Sequence, residues 1–274
     1  MQFVRVSDIV VHTQTIEAAG ARAALVFVNS LGTDLRIWQA TLAHLAGGAT
    51  ALTYDLRGHG LTDVCRTPYT IAMLANDLAA LMDHAGVQSA IVCGISLGGL
   101  VAQQLHAARP DLVEALVLCN TAAKIGDASL WNARMAAIET GGMAAVADSV
   151  LARWFAPDYK SKRPAEFAGY RNMLIRQPVD GYIAACAALA TADLTAHAAK
   201  IDVPTLCITG EMDSAIPPQI MADLARSIPG ARLETIDNCG HLPCVEQPEH
   251  FSGLLRAFVA HIGMEMASHV SHGS

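Results

Sequence analysis

The chain has little charge and few aromatic residues, and it contains no long hydrophobic run. Of its 274 residues, 16% are charged and 5% aromatic, whereas 53% are hydrophobic. This composition excludes an intrinsically disordered chain and predicts a large buried core. No apolar run reaches the roughly 20 residues of a membrane-spanning helix, so no membrane partner is expected. The length fits one α/β domain, although two ordinary domains would also fit.

Positive charge is scarcer than negative charge. Lys and Arg number 18 against 25 Asp and Glu, which gives a net charge of −7. Nonspecific nucleic-acid binding requires a basic surface that neutralises phosphates. No nucleic-acid partner is therefore expected.

Cysteines are few, odd in number and irregularly spaced. Of the seven, Cys93, Cys119 and Cys207 lie inside apolar runs, where a thiol behaves as a small buried hydrophobe. This pattern argues against a disulfide framework. The N-terminal residues lack the charged start and long apolar stretch of a secretory signal. A reducing cytoplasm is therefore the expected location.

Apolar β-rich runs alternate with helical patterns along most of the chain. This alternation predicts an α/β fold with a mostly parallel sheet covered by helices on both faces. Strands are predicted at Phe3–Val6, Ile9–Ile16, Ala24–Val28, Ala49–Tyr54, Ala90–Gly94, Val113–Leu118, Val203–Thr209 and Arg232–Ile236. Helices are predicted after Thr70 and at Leu97–Ala108, Pro218–Ser227 and Pro248–His261.

The alternation is interrupted once, by a long segment with helical patterns only. We call residues 121–195 the helical insertion and predict that it forms a lid over a core made of residues 1–120 and 196–266. Its helices are predicted at Ser129–Thr140, Met143–Phe155, Pro164–Arg176 and Val179–Ala190. The last residues, 267–274, are predicted to be a disordered tail.

The stretch GISLGG (Gly94–Gly99) fits the pattern G-x-S-x-G between a predicted strand and a predicted helix. In that context the serine occupies a tight strand-to-helix turn and acts as a nucleophile, and the glycines give the turn room. The helix N-terminus directs free N–H groups towards the space above Ser96. The alternative is a Gly-rich turn with an incidental serine.

A nucleophilic serine needs a base, and the base needs an orienting acid. With the chain order serine, acid, histidine, His241 is the predicted base, because it follows the last strand. Asp213 follows the preceding strand and is the predicted acid. Glu211 and Asp237 are weaker competitors: the first comes two residues early, and the second is close in sequence to the histidine.

Two backbone N–H groups are expected to form an oxyanion hole. One belongs to Leu97, the residue after the nucleophile, and the other to Leu31 in the loop after Ala24–Val28. Only the backbone of Leu31 matters for this role, and its side chain can also belong to the core.

Five motifs spread over nearly the whole chain resemble those of the α/β-hydrolase fold. They are Asn29–Asp34, Asp55–Gly60, Gly94–Gly99, Gly210–Pro217 and Asn238–Pro248. Within that fold the stretch NSLGTDLRIW, together with GISLGG and the helical insertion, resembles the 3-oxoadipate enol-lactonases of the β-ketoadipate pathway. Many proteins of this fold carry His-Gly in the first loop, where this chain has Asn29-Ser30.

The resemblance implies hydrolysis of 3-oxoadipate enol-lactone to 3-oxoadipate in bacterial aromatic catabolism. The implied partner is a small anionic lactone, and no metal and no organic cofactor is expected. The free carboxylate of this substrate calls for a cation in the pocket. The helical insertion carries a net charge of +1 against −8 for the remainder. Arg134, with Trp131 three residues earlier on the same predicted helix, is the candidate anchor, and a solvated helix face is the alternative.

Some residues and motifs allow other interpretations. Cys239, His241 and Cys244 could suggest zinc, but one loop with no partner pair makes an incomplete metal site. The loop Asp55–Gly60 is expected to be structural, with Asp55 and Arg57 bonding backbone groups. A carboxylesterase, a perhydrolase, a carbon–carbon bond hydrolase and a ligand-binding receptor with a retained triad remain alternative functions. The sequence leaves the oligomeric state open, a homo-oligomer included.

Overall fold

The computed structural model describes residues 1–18, 24–45, 49–65 and 67–271, with side chains described as far as residue 263. Within these ranges the chain forms an eight-stranded sheet. The strands are β1 (Gln2–Val6), β2 (Ile9–Ile16), β3 (Ala24–Val28), β4 (Thr50–Tyr54), β5 (Ala90–Ile95), β6 (Val113–Cys119), β7 (Thr205–Gly210) and β8 (Arg232–Ile236).

Helices cover the sheet and fill the connections between its strands. In chain order they are α1 (Gln39–Leu45), α2 (Ile71–His84), α3 (Leu97–Ala108), α4 (Ala128–Gly141), α5 (Ala144–Trp154), α6 (Tyr159–Lys162), α7 (Pro164–Ile175), α8 (Val179–Thr191), α9 (Thr195–Ala198), α10 (Pro218–Ser227), α11 (Pro243–Glu246) and α12 (Pro248–Ser271).

The spatial order of the strands is β1-β2-β4-β3-β5-β6-β7-β8. β1 and β2 pair antiparallel, β2 pairs antiparallel with β4, and every later pairing is parallel. The predicted α/β fold with a mostly parallel sheet is therefore confirmed. Because parallel strands end at the same edge, the loops after β3, β5, β6, β7 and β8 come together there.

The central strands are buried on both faces, as their continuous apolar sequences predict. Every residue of β5 and of β7 is buried. Cys93, Cys119 and Cys207 are fully buried among them, which confirms that they serve as core residues. Burial raises the pKa of all three thiols, so they remain protonated and inert.

The chain between β6 and β7 is helical, with α4 to α9 following one another and no strand in this fully described stretch. The predicted helices of the helical insertion agree with α4, α5, α7 and α8 within two residues at each end. The short helices α6 and α9 have no counterpart in the prediction. The division into lid and core stays a prediction.

The C-terminal helix differs from its prediction. Prediction ends it at His261, whereas α12 runs from Pro248 to Ser271 and so continues into the segment from residue 267 that was expected to be disordered. Residues 272–274 lie outside the described part of the chain. In the described ranges, no helix has the length and apolar character needed to cross a membrane.

The loop Asp55–Gly60 fits its structural prediction only in part. Asp55 accepts backbone N–H groups of Leu35 and Leu61, both at 2.8 Å, as expected. Arg57 instead pairs with side chains, at 2.7 Å from both Asp77 and Asp8. A buried guanidinium needs carboxylate partners, and those partners come from distant parts of the sequence.

Candidate active site

Ser96 lies at the turn between β5 and α3 in a conformation that a non-glycine residue seldom adopts. Its φ is 56° and its ψ is −115°. The turn is held by its own backbone: the Ser96 N–H donates to the Cys119 carbonyl at 3.0 Å, and its carbonyl accepts the Thr121 hydroxyl at 2.7 Å. Strain of this kind persists only where surrounding contacts over-determine it, and it is typical of a reactive position.

The glycines around Ser96 are required by close backbone contacts. A Cβ atom on Gly94 would lie 2.2 Å from the Gly98 carbonyl oxygen, and one on Gly98 would lie 2.2 Å from the Val28 carbonyl oxygen. The second contact packs the start of α3 against the end of β3. The loop that holds Leu31 is therefore brought beside the first turn of α3.

His241 and Asp213 form a buried pair at the same edge of the sheet. The His241 Nδ1 atom lies 2.8 Å from Asp213 Oδ2, and the two residues are 2% and 3% exposed. The other carboxylate oxygen of Asp213 accepts the N–H groups of Ala215 and Ile216 at 2.8 and 3.0 Å. With its carboxylate held by two N–H groups, Asp213 orients the imidazole and leaves Nε2 for proton transfer.

Asn120 holds the loop that carries His241. Its amide nitrogen donates to the carbonyl oxygens of Gly240 and His241, at 3.2 and 2.9 Å, while its amide oxygen accepts the Gly210 N–H at 2.9 Å. The side chain is fully buried and links the end of β7 to the histidine loop. None of the sequence patterns described above predicts this role for Asn120.

Glu246 ties the same loop to the helical insertion. Its two carboxylate oxygens accept the N–H groups of Gly240 and Ala156, both at 2.9 Å. Burial raises the pKa of this carboxyl to about 7, and the hydrogen bonds from the backbone oppose that rise. Sequence analysis missed this residue. The available signal is a lone acid in the apolar stretch HLPCVEQP, five residues after His241.

The loop after β3 is anchored by Asn29, which stands where many proteins of this fold carry histidine. Its amide nitrogen donates to the Tyr54 carbonyl at 2.7 Å, and its amide oxygen accepts the Trp38 indole N–H at 2.6 Å. Leu31 follows in this loop, and Leu97 is the first residue of α3, where N–H groups have no partner within the helix. Their role as oxyanion donors stays a prediction.

One pocket brings most of the predicted site residues together. It is lined by Ser30, Leu31, Ser96, Ile125, Gly126, Leu130, Trp131, Arg134, Val150, Arg153, Trp154, Tyr182, Ala215, Ile216 and His241. Asp213 stands behind His241. Of these described lining residues none is acidic, although two are arginines. The pocket is therefore electropositive around the serine.

Arg134 and Trp131 face this pocket from α4. The Arg134 guanidinium carbon lies 5.1 Å from the centre of the Trp131 ring, and the Trp131 indole N–H donates to the Ile125 carbonyl at 2.7 Å. The positive charge of Arg134 also acts on Tyr182, where it opposes the rise in pKa that burial causes. A stacked arginine beside a serine nucleophile is suited to hold a carboxylate.

The described residues contain no group of three or more side chains able to hold a metal ion. Cys239 and Cys244, considered with His241 as zinc ligands, are buried, and burial raises the pKa of both thiols. The Cys239 sulfur instead lies 4.0 Å from a carboxylate oxygen of Glu246.

Comparison with known proteins agrees with this geometry. A family model described as alpha/beta hydrolase fold matches residues 23–248. The 3-oxoadipate enol-lactonases 2 and 1 of Acinetobacter baylyi are 36% and 37% identical to this chain; the matches cover 86% and 87% of it and 88% and 89% of those proteins. A crystal structure of the enol-lactonase from Burkholderia xenovorans LB400 superimposes with a TM-score of 0.91 at 36% identity, over 94% of this chain and all of that one.

The predicted fold family is thus confirmed by the family match and by the likeness to a solved structure. The family match includes the turn at Ser96 and the loops of Asp213 and His241, and the likeness to enol-lactonases extends over most of both chains. This chain is a hydrolase that belongs to the α/β-hydrolase fold family and is similar to the 3-oxoadipate enol-lactonases.

Proposed function

We propose that this protein opens 3-oxoadipate enol-lactone to 3-oxoadipate through an acyl-enzyme on Ser96, as a step of aromatic catabolism in the β-ketoadipate pathway. The observation that carries the proposal is the pocket. A strained serine and His241, which is paired with Asp213, line it together with two arginines, and none of its described lining residues is acidic. Its similarity to two enol-lactonases at 36% and 37% identity supports the same substrate.

In the first step the Ser96 hydroxyl attacks the lactone carbonyl carbon while His241 Nε2 takes its proton. Asp213 accepts the Nδ1–H bond and stabilises the imidazolium that forms. The carbonyl oxygen becomes an oxyanion, and the N–H groups of Leu31 and Leu97 receive it. Removing one such donor typically lowers kcat by about 10²- to 10³-fold, so this contact supplies a large part of the catalysis.

Collapse of the tetrahedral intermediate breaks the ring C–O bond and releases an enolate oxygen, which His241 protonates to an enol. The enol then becomes the ketone, which draws the reaction forward. Water then attacks the acyl carbon while His241 takes a proton from it. The Ser96 oxygen leaves and receives this proton from His241, and the second carboxylate of the product forms. Every step uses groups of the chain and water, so the proposed mechanism requires no metal ion and no organic cofactor.

Arg134 binds the carboxylate that the lactone carries. Its guanidinium, supported by the Trp131 ring, offers the paired donors that a carboxylate accepts. We also propose that the protein acts in a reducing cytoplasm, in keeping with its seven free cysteines.

The proposal is tested by steady-state kinetics of the purified protein on 3-oxoadipate enol-lactone and on p-nitrophenyl acetate. We expect the lactone to be preferred, and we expect Ser96→Ala to lower its kcat by about 10⁴- to 10⁶-fold with unchanged circular dichroism. The matched control is Ser161→Ala, at an exposed serine of α6.

Three results would contradict the proposal. Fast hydrolysis of the ester with an inert lactone would assign a carboxylesterase. Turnover of both below about 1 per second, with tight binding of lactone, would assign a receptor. Near-normal rates in Ser96→Ala would exclude this serine as the nucleophile.

A further inference from the structure

The pocket holds two guanidinium groups and no neutralising acid. Arg134 comes from α4 and Arg153 from α5, and both are partly buried where they line the pocket with Ser96 and His241. Within the part of the chain that the structure describes, neither arginine forms an ion pair. Positive charges confined without a counter-ion favour an anionic ligand.

The number of negative charges on the proposed substrate changes during the reaction. The lactone carries one, on its free carboxylate, and a second one develops on oxygen as Ser96 attacks and the ring opens. One arginine therefore suffices for the ground state, whereas two cations match the transition state. An interaction made only in the transition state raises kcat rather than affinity.

The two arginines come from different helices and have different neighbours. Arg134 stacks on Trp131 and acts electrostatically on Tyr182 and Cys186 of α8, which places it at the side formed by α4 and α8. Arg153 directly precedes Trp154, whose carbonyl accepts the His241 N–H at 2.9 Å. Arg153 therefore adjoins, along the backbone, the residue that holds the His241 loop, and it lines the same pocket as His241.

The leaving oxygen must emerge towards His241, because His241 is the group that protonates it. The carbonyl oxygen points the other way, towards the N–H groups of Leu31 and Leu97. We propose that Arg153 is a further catalytic residue: it stabilises the enolate oxygen that is released when the lactone ring opens. This inference rests on the proposed enol-lactonase function.

The step keeps atoms and charge in balance. The electron pair of the ring C–O bond moves to the oxygen, which becomes an enolate paired with the Arg153 guanidinium. The proton that His241 took from Ser96 then moves to this oxygen, giving the enol and a neutral imidazole. That imidazole is ready to accept a proton from the attacking water, and Arg153 keeps all its protons throughout.

The experiment compares wild type, Arg153→Met, Arg153→Lys and a control, Arg171→Met, on the enol-lactone. Arg171 is another arginine of the helical insertion, paired with Asp148 away from the pocket. We expect Arg153→Met to lower kcat by about 10- to 100-fold with KM within about 2-fold, as for loss of one charge-stabilising group. Arg153→Lys should recover most of kcat, and Arg171→Met should match wild type.

A series of aryl acetates with increasingly basic leaving groups separates this role from a structural one. The ratio of wild-type to Arg153→Met rates should increase from p-nitrophenyl acetate to phenyl acetate, because a more basic oxygen needs more stabilisation. An equal loss on every ester would assign a structural role and overturn the proposal.

The kinetics on the lactone distinguish this proposal from the function on which it rests. Unchanged kcat in Arg153→Met, or a raised KM with unchanged kcat, would overturn the role of Arg153 while leaving the enol-lactonase function intact. A wild-type protein inert towards the enol-lactone would overturn both.

Discussion

The two sides of the pocket are built in different ways. At the sheet edge, Ser96, Asp213 and His241 are no more than 9% exposed, and each is held by hydrogen bonds to its side chain or backbone. On the helical side, Arg134 and Arg153 are partly exposed and have no ion-pair partner among the described residues. The groups proposed to break bonds are thus held rigidly, whereas the arginines proposed to meet the substrate remain available to it.

This difference has a physical cause. Proton transfer and nucleophilic attack depend on distances within a few tenths of an ångström, so they need side chains on rigid strand ends. A charge acts over a longer range and tolerates the looser position of a helix face. Changes at the sheet edge should therefore lower kcat for every lactone and ester, whereas changes on the helices should have effects that depend on the substrate.

The largest effect in this comparison is expected from Asp213→Asn. The amide would place an N–H donor opposite the Nδ1–H group of His241 or would force the other tautomer of the imidazole. We therefore expect kcat to fall by about 10⁴-fold. Steady-state assays on the lactone measure kcat, and circular dichroism checks that the variant is folded. Asp237→Asn, at an exposed aspartate near the same loop, is the control. A loss below about 10-fold would mean that another acid orients the histidine.

A smaller effect, in a different parameter, is expected from Arg134→Met. Losing a charge-assisted contact with the substrate carboxylate costs about 1.5 to 3 kcal/mol, so KM for the lactone should rise by about 10- to 100-fold. The rate on p-nitrophenyl acetate, which has no carboxylate, should stay within about 2-fold of wild type. Arg176→Met, at an exposed arginine outside this pocket, is the control. A loss confined to kcat would contradict the binding role of Arg134.

An effect on stability rather than on catalysis is expected at Glu246, which joins the two sides. Its pKa in the folded protein is raised to about 7 from 4.5, so the folded state holds this proton longer than the unfolded state. The contribution of Glu246 to the free energy of unfolding should therefore be highest below about pH 4.5. It should decrease by about 2 to 3 kcal/mol between pH 4.5 and 7 and then stay level.

Urea unfolding of wild type and Glu246→Gln at several pH values between 4.5 and 8 measures this contribution. The variant cannot titrate at this position, so its stability should show a smaller decrease over that range. Equal pH dependence in both proteins would contradict the raised pKa of Glu246.

The parts of the site that could be predicted are those encoded in short local patterns. The pattern GISLGG predicts the turn at Ser96. Only glycine fits at Gly94 and Gly98, because a Cβ there would lie 2.2 Å from a carbonyl oxygen. Asp213 and His241 follow from the order of strands along the chain. Asn120 could not be found in this way, since its partner Gly210 is 90 positions away. Glu246 could not be found either, since its partners Gly240 and Ala156 are 6 and 90 positions away and are brought together only by folding.

The ends of elements show the same limit. β1, β2, β3, β8, α3 and α10 are close to their predicted bounds, because turn residues or prolines flank them. The helix α12 extends ten residues beyond its prediction, since the stretch from His261 to Ser271 contains no proline and its one glycine, Gly263, lies inside the helix. Short helices such as α6 and α9 have too few residues for a periodic pattern to be visible.

By itself, the sequence determined which elements form and which residues carry reactive groups, because the periodicity of apolar residues and the steric needs of a tight turn act over neighbouring positions. The tertiary structure alone decided that Arg153 lines the same pocket as His241, that none of the described lining residues of this pocket is acidic, and that Asn120 and Glu246 hold the histidine loop. These relations depend on hydrogen bonds and charges brought together from distant segments, whose distances exist only in the folded chain.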